Sequence, residues 1–252
     1  MKGWKESVFF SYLAGAVAIL LVWWLISLLV ALPMIPSPWD VAAKLADIFA
    51  KSIAIHAGAS LWRIAAGLLL AVLAGFPLGM VMGYFPKADR YMAPLVYLTY
   101  PVPKIALLPV FMLLAGVGEL SKIIMIFLII VFQVVVAVRD GIHAIPKEIY
   151  EPLVSLGASF GEIFREILWP ASLPKFLTAV RVAMATAISV LFFTETFGTQ
   201  YGIGYFIMDA WLRVNYLDMY AGIIVLSGIG LLLFGLLDFV EYQTCRWVAP
   251  RE

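Results

Sequence analysis

The sequence is poor in charge and in the residues that carry metal or redox chemistry. Only 13% of its 252 residues are Asp, Glu, Lys or Arg, against about 25% in a typical water-soluble domain. Cys245 is the one cysteine, so no intrachain disulfide can form, and with only His56 and His143 beside it no zinc-type ligand set exists. Neither histidine has a metal-like neighbour; both read as ordinary polar positions and Cys245 as a bystander thiol. A formal net charge of +1 excludes the strongly basic surface that nucleic acid requires. The glycine-rich loop ending in Gly-Lys-Ser/Thr is missing, and with it the usual means of cradling ATP. So are the clustered nucleophiles, metal ligands or paired carboxylates of an integral membrane enzyme.

What remains is overwhelmingly apolar: 64% of residues are hydrophobic and the mean hydropathy is +1.01. Such a chain is a polytopic, all-α membrane protein, read as one transmembrane domain over 1–252. Apolar runs of roughly 20 residues fall at about 9–31, 61–83, 93–115, 120–138, 175–195 and 219–240, giving six spans. The first is too long for a cleaved signal peptide, whose apolar core is about 7–15 residues, and reads as a retained span. Between the first two spans, Pro33, Pro36 and Pro38 precede Trp39 to Phe49, an amphipathic pattern that suits either a surface-lying helix or a plain linker helix.

Basic residues set the orientation. With the N-terminus inside, the inside set is Lys2, Lys5, Lys87, Arg90, Lys104, Arg139, Lys147, Arg165, Lys175, Arg181, Arg246 and Arg251. The outside set is Lys44, Lys51, Arg63, Lys122 and Arg213, twelve against five. The positive-inside rule then places both termini, and the stretch Ile145 to Pro174, in the cytoplasm.

Individual spans carry further signals. Gly67, Ala71, Gly75, Gly79 and Gly83 recur every four residues, a stripe that lets another helix approach closely, and Pro77 predicts a kink. Pro94, Pro101, Pro103 and Pro109 are too dense for one straight helix. The region reads either as broken helices beside a water-filled path or as a kinked structural helix. In the fifth span Thr178, Val182, Ala185, Ser189 and Thr196 share a face that either lines a pore or packs a helix. Glu195 ends that span; an acid at membrane depth faces a cavity or a partner rather than lipid, unless the span ends early and leaves it at the interface. Thr178, Ser189, Glu195 and Thr196 are the candidate path residues.

The most informative stretch is Ile145 to Pro174, predicted as two short helices outside the membrane. Pro146 opens the first and Gly157 closes it. Ser159 and Glu162 have capping-box spacing, after which Ile163, Phe164, Ile167 and Leu168 repeat at helical intervals until Pro170 stops the run. Glu162, Arg165 and Glu166 occupy the other face, so the helix is wet with one apolar side that needs a partner.

This stretch resembles the cytoplasmic loop of ABC importer permease subunits, which has a glutamate, a glycine six residues on, then an isoleucine and a proline; Glu151, Gly157, Ile167 and Pro170 stand in those places. Pro152 and Leu153 replace the family's usual alanines and Trp169 its leucine, and an interior proline would kink the first helix. Leu32-Pro-Met-Ile-Pro-Ser-Pro, Pro101-Val-Pro-Lys-Ile-Ala-Leu-Leu-Pro, Gly116-Val-Gly-Glu-Leu-Ser-Lys and Gly202-Ile-Gly-Tyr resemble the nitrate, sulfonate and taurine permease group in the same order. The resemblance implies a type I importer permease in a bacterial inner membrane. Glu151, Gly157, Ser159, Glu162, Phe164, Arg165, Ile167 and Pro170 would then couple it to a separate ATPase, where ATP and Mg are held. It also implies an external substrate-binding protein and small anionic substrates such as sulfonates, taurine, nitrate or bicarbonate, or vitamin precursors on the same scaffold. Six spans enclose too little, so a homodimer is expected. Arg63, Arg181 and Arg213 are candidate cations for an anion path or simple span anchors. An ion-driven carrier is the competing class, but it should show repeated halves with matching broken segments.

Overall fold

The computed structural model describes residues 2–247; Arg251, counted above for orientation, lies outside them. Among the described residues the chain is all helix. Five segments are long and apolar enough to cross a membrane, and a sixth is added if one bent pair counts as a span. The first helix, α1 (Lys2–Val30), leans on the rest through the Trp23 indole N–H, which donates to the Pro36 carbonyl at 3.1 Å. Ser37 caps α2 (Pro38–Ile48), its hydroxyl accepting from the Asp40 N–H at 3.2 Å. The apolar face of α2 packs on protein, with Val41 fully buried. A widened π turn, Phe49–Ile53, then leads without a gap into α3 (Ala54–Tyr84), so the second span starts earlier than its hydropathy suggests.

The proline-dense region is broken outright. α4 (Pro86–Thr99) and α5 (Leu108–Ala115) are separated by a turn and a short 3₁₀ segment, and the two halves bend by 78°. Prolines supply no donors there, and Lys104 Nζ donates to the Thr99 carbonyl at 3.1 Å, which also accepts the Val102 N–H, and to the Tyr100 carbonyl at 3.4 Å.

The core is a three-helix packing of α3, α6 (Glu119–His143) and α9 (Trp169–Glu195). α3 and α6 run parallel along the glycine stripe. A Cβ on Gly67 would meet Ile126 at 2.6 Å, one on Gly75 Val134 at 3.0 Å, one on Gly79 Val138 at 2.8 Å and one on Gly83 Ile142 at 2.7 Å. The register is constant along the whole contact, and tight helix packing is what the stripe serves. Between α6 and α9 lies the loop with α7 (Glu151–Ser155) and α8 (Phe160–Ile163). After α9 comes a short apolar helix, α10 (Ile203–Leu212), in the stretch between the fifth and sixth apolar runs. Its Ile203, Phe206, Ile207 and Ala210 are buried. α11 (Tyr216–Thr244) is the last span.

Candidate functional site

At one end of the bundle, here the loop end, the 145–174 stretch follows the sequence closely in its caps. Gly157 has φ 77, with Ala158 N–H bonded to Leu153 O and Gly157 N–H to Val154 O, both at 3.0 Å. That 6→1 and 5→2 pair is a Schellman ending, and it needs a residue tolerant of the left-handed region. Pro152 sits in the first turn of α7 rather than its interior, so it costs the helix no hydrogen bond. The capping box is complete: Ser159 Oγ accepts from Glu162 N at 3.4 Å, and Glu162 Oε2 accepts from Ser159 N at 2.6 Å. Half-buried Tyr150 packs near Tyr84, and burial, with the nearby Tyr84, pushes its hydroxyl above the ordinary tyrosine value.

Two expectations are corrected here. Pro170 does not stop the helix. A π turn over Phe164–Leu168, in which Trp169 N–H reaches Phe164 O, carries the backbone straight into α9, where Pro170 occupies a first-turn position whose missing donor is not needed. Phe160 to Glu195 is therefore one continuous helical segment, with Pro174 in its interior. The apolar side of the second helix also has its partner within the chain: Ile163, Ile167 and Leu168 are buried at 4%, 6% and 0% exposure. Phe164 is half-buried, 6.2 Å ring to ring from Trp169. What faces outward is Glu148, Ile149, Glu151, Val154, Leu156, Phe160, Glu162, Arg165 and Glu166, a mixed apolar and charged surface.

The far end holds a charged cluster. Arg63 and Glu195 are both fully buried and bonded at 2.6 Å. Arg63 also donates from Nε to Glu119 at 2.7 Å, from Nη1 to the Tyr201 carbonyl at 2.8 Å and from Nη2 to Thr199 at 3.3 Å and to the second Glu119 oxygen. These contacts engage all three of the guanidinium's nitrogens. Glu195 accepts from Ser60 at 2.9 Å and from the Gly204 N–H at 2.8 Å. Buried Lys122 donates to the Gly118 and Gly198 carbonyls at 3.0 and 3.4 Å. His56 Nδ1 accepts the Gly202 N–H at 3.1 Å, so this histidine is a loop anchor and not an isolated polar position. Gly202 has φ 132, and a Cβ there would strike Glu195 and Arg63; one on Gly204 would meet the Phe192 carbonyl at 2.6 Å. Gly202 is thus required because the carboxylate and guanidinium take the space, and Gly204 because α10 passes close against the end of α9 at Phe192 and Glu195 Cβ.

Glu195 accordingly does not line an open path: it is inside protein, with a full set of partners. Of the other path candidates, Thr178 and Thr196 are half-buried with hydroxyls bonded to Pro174 O and Phe193 O. Ser189 is exposed and lines a cleft of about 410 Å³ with Ile105, Ala185, Thr186 and Val190, beside the α4–α5 break. Arg181 and Arg213 are paired with Asp238 and Glu241 and with Asp209.

Fold and site together define a multi-span helical membrane protein whose exposed, capped loop continues without a break into one of its core spans. The chain belongs to the family of binding-protein-dependent transport system inner membrane components, which matches residues 67–243. It is 32% identical to the taurine transport system permease protein TauC of Escherichia coli over 228 residues, 87% of this chain and 83% of that protein. It is 27% identical to the formylaminopyrimidine transport permease protein ThiX of Halalkalibacterium halodurans, over 91% of this chain and 92% of that protein. Identity is also 27% to the putative aliphatic sulfonates transport permease protein SsuC of Bacillus subtilis, over 86% and 79%. A chain from the inward-facing MetNI methionine ABC transporter superposes with TM-score 0.65 at 19% identity, over 77% of this chain and 94% of that one, a likeness of fold. The protein is a permease subunit of an ABC importer and not a member of an enzyme family; such permeases work with an ATPase and a binding protein.

Proposed function

We propose that two copies of this chain form the translocation path along their shared two-fold axis, with the loop end in the cytoplasm of a bacterial cell, gripped by the ATPase, and the far end meeting the binding protein. ATP and Mg are then held wholly by the partner. The observation that carries this reading is the unbroken helical segment from Phe160 to Glu195, which runs from the exposed loop into the core with no intervening loop, so that a displacement of the docking surface is passed directly to a core span. The positive-inside count supports the orientation, and the exposed Val182, Ala185 and Ser189 face beside the cleft suits an axis-lining surface. Glu151, Gly157, Ser159, Glu162 and Arg165 shape or present the docking surface, while Phe164, Ile167 and Pro170 hold it to the span.

The substrate class follows the relatives: a small sulfonate or related anion, with taurine, nitrate and bicarbonate as candidates. Arg63, Arg181 and Arg213 are each engaged by carboxylates, so charge selection falls to the binding protein. The uncharged lining of the cleft favours a second reading, a formylaminopyrimidine-like vitamin precursor. Reconstitution in proteoliposomes with the cognate ATPase and binding protein, followed by uptake of each radiolabelled candidate with and without ATP, tests both. Uptake by this chain alone on an ion gradient would refute the importer assignment.

A further inference from the structure

The break in the proline-dense span puts a cation at membrane depth. Lys104 opens the short 3₁₀ segment between α4 and α5, and its ammonium sits 5.1 Å from the ring centroid of Phe132, near the midpoint of α6. Charged side chains at such depth are costly; they face the bundle interior or a water-filled cavity and often mark a substrate or ion route. Arg63 and Arg181 meet carboxylates, and Lys122 is sealed inside protein. Lys104 differs from all three: it is half-buried, and no carboxylate among the described residues pairs with it. Its partners are the Thr99 and Tyr100 carbonyls and the rings of Tyr100, at 5.6 Å, and Phe132. These neutral groups steady the ammonium without cancelling its charge, and the two carbonyls engage only two of its three donors.

The charge also lies beside the cleft. Ile105, next in the chain, lines that cleft of about 410 Å³ with Ala185, Thr186, Ser189 and Val190, and shares an apolar cluster with Ile129 of α6. Phe132 stands about one turn nearer the loop end than Ile129, which puts the ammonium toward the loop-side rim of the cleft. We propose that Lys104 is an anion-binding residue of the translocation path: a small oxyanion such as a sulfonate, chosen by the binding protein, is met at mid-membrane by this ammonium. This deepens the reading above in which the Val182, Ala185 and Ser189 face lines the path. The unpaired positive charge offsets the cost of bringing an anion to that depth. The Thr186 and Ser189 hydroxyls, which donate to the Val182 and Ala185 carbonyls at 3.4 and 3.2 Å, can rotate to add donors. A single flexible ammonium holds an oxyanion loosely enough to let it go, as passage requires.

Thiol chemistry at the cleft tests this in the purified complex with its ATPase. Ser189→Cys in a Cys245→Ser background is reacted with two methanethiosulfonates, one bearing a sulfonate and the other a trimethylammonium group, and the ratio of their rates reads the local potential. Lys104→Met, which keeps the stem and removes the charge, should lower the anionic-to-cationic ratio by about tenfold. Lys104→Arg should leave it near its starting value. If Lys104 only caps the broken helix, Lys104→Met moves the melting temperature but not this ratio, and an unchanged ratio would overturn the proposal. A Ser189→Cys thiol that reacts with neither reagent would instead overturn the path reading on which it rests. Should Lys104→Met fail to assemble, Lys104→Gln, whose amide can still donate to the Thr99 and Tyr100 carbonyls, is read in the same way. In proteoliposomes, ATP-driven uptake of whichever radiolabelled oxyanion the wild type carries (taurine, nitrate or bicarbonate) should fall by about tenfold in Lys104→Met. Wild-type rates in that variant, or wild-type uptake confined to formylaminopyrimidine, would equally sink the proposal.

Discussion

Gly79→Ala offers a direct measure of how closely α3 and α6 are pressed together. A methyl there would stand 2.7 Å from the Val135 carbonyl oxygen and 2.8 Å from Val138 Cβ. The first neighbour is backbone in the middle of a helix, so relief requires moving α6 as a whole. Overpacking of this sort costs about 1–3 kcal/mol, set against the roughly 0.5–1 kcal/mol that alanine gains over glycine within a helix. Gly228 and Gly235 of α11 supply the reference, since an added Cβ meets nothing within 4 Å at either. The propensity gain is common to all three substitutions and drops out of the comparison. What remains is a packing difference of about 1–3 kcal/mol, or several degrees of melting temperature at about 2–4 °C per kcal/mol for a chain of this size. Fluorescence-monitored melting of the detergent-solubilised permease, all three variants side by side, reads it. If Gly79→Ala melts with Gly235→Ala, the interhelical approach is looser than described and the stripe has another purpose.

Ile167→Ala empties a buried position and should cost about 2–4 kcal/mol of stability. Reversing the exposed Arg165 and Glu166 charges together should move the melt by under about 0.5 kcal/mol yet lower ATP-coupled uptake; the opposite assignment of effects would mean that the docking face has been misidentified. Gly157→Ala forces a side chain into φ 77 at the exposed turn, a strain of about 1–2 kcal/mol. The expected readout is weaker ATPase binding by titration, with the melting temperature of the span bundle unchanged.

Much of the architecture was legible because membrane helices announce themselves locally. The apolar runs, the four-residue glycine repeat and the Ser159–Glu162 cap each depend on neighbours within a turn or two. The break between Thr99 and Lys104 was visible as proline density, although the sequence could not choose between a kink and the 78° bend. Pro170 misled for a physical reason: proline ends a helix when it removes a needed donor and begins one when the donor is spare. The π turn at Phe164–Leu168 puts Pro170 in the second situation, and nothing local distinguishes the two. Amphipathicity was equally silent about partners. It showed that Ile163, Ile167 and Leu168 would be covered, but not that this chain covers them.

The charged cluster marks where local reading stops. Glu195 could be recognised as an acid too costly to leave facing lipid, but its counterion lies 132 residues away, and Arg63 had been weighed only as a path cation or an anchor. The information was nonetheless present in a distributed form. If the glycine stripe sets Gly67 against Ile126, then Arg63, one turn before Gly67, must come level with Lys122, one turn before Ile126, and two buried cations at one level of a membrane bundle demand acids at the same level. Glu119 at the start of α6 supplies one and Glu195 the other. The glycines of Gly202-Ile-Gly204 then follow from space: Gly202 closes over a carboxylate and a guanidinium already in contact, and Gly204 lies against the Phe192 backbone, so neither position has room for a side chain. A register inferred from packing would have found the pair that hydropathy could only leave unmatched.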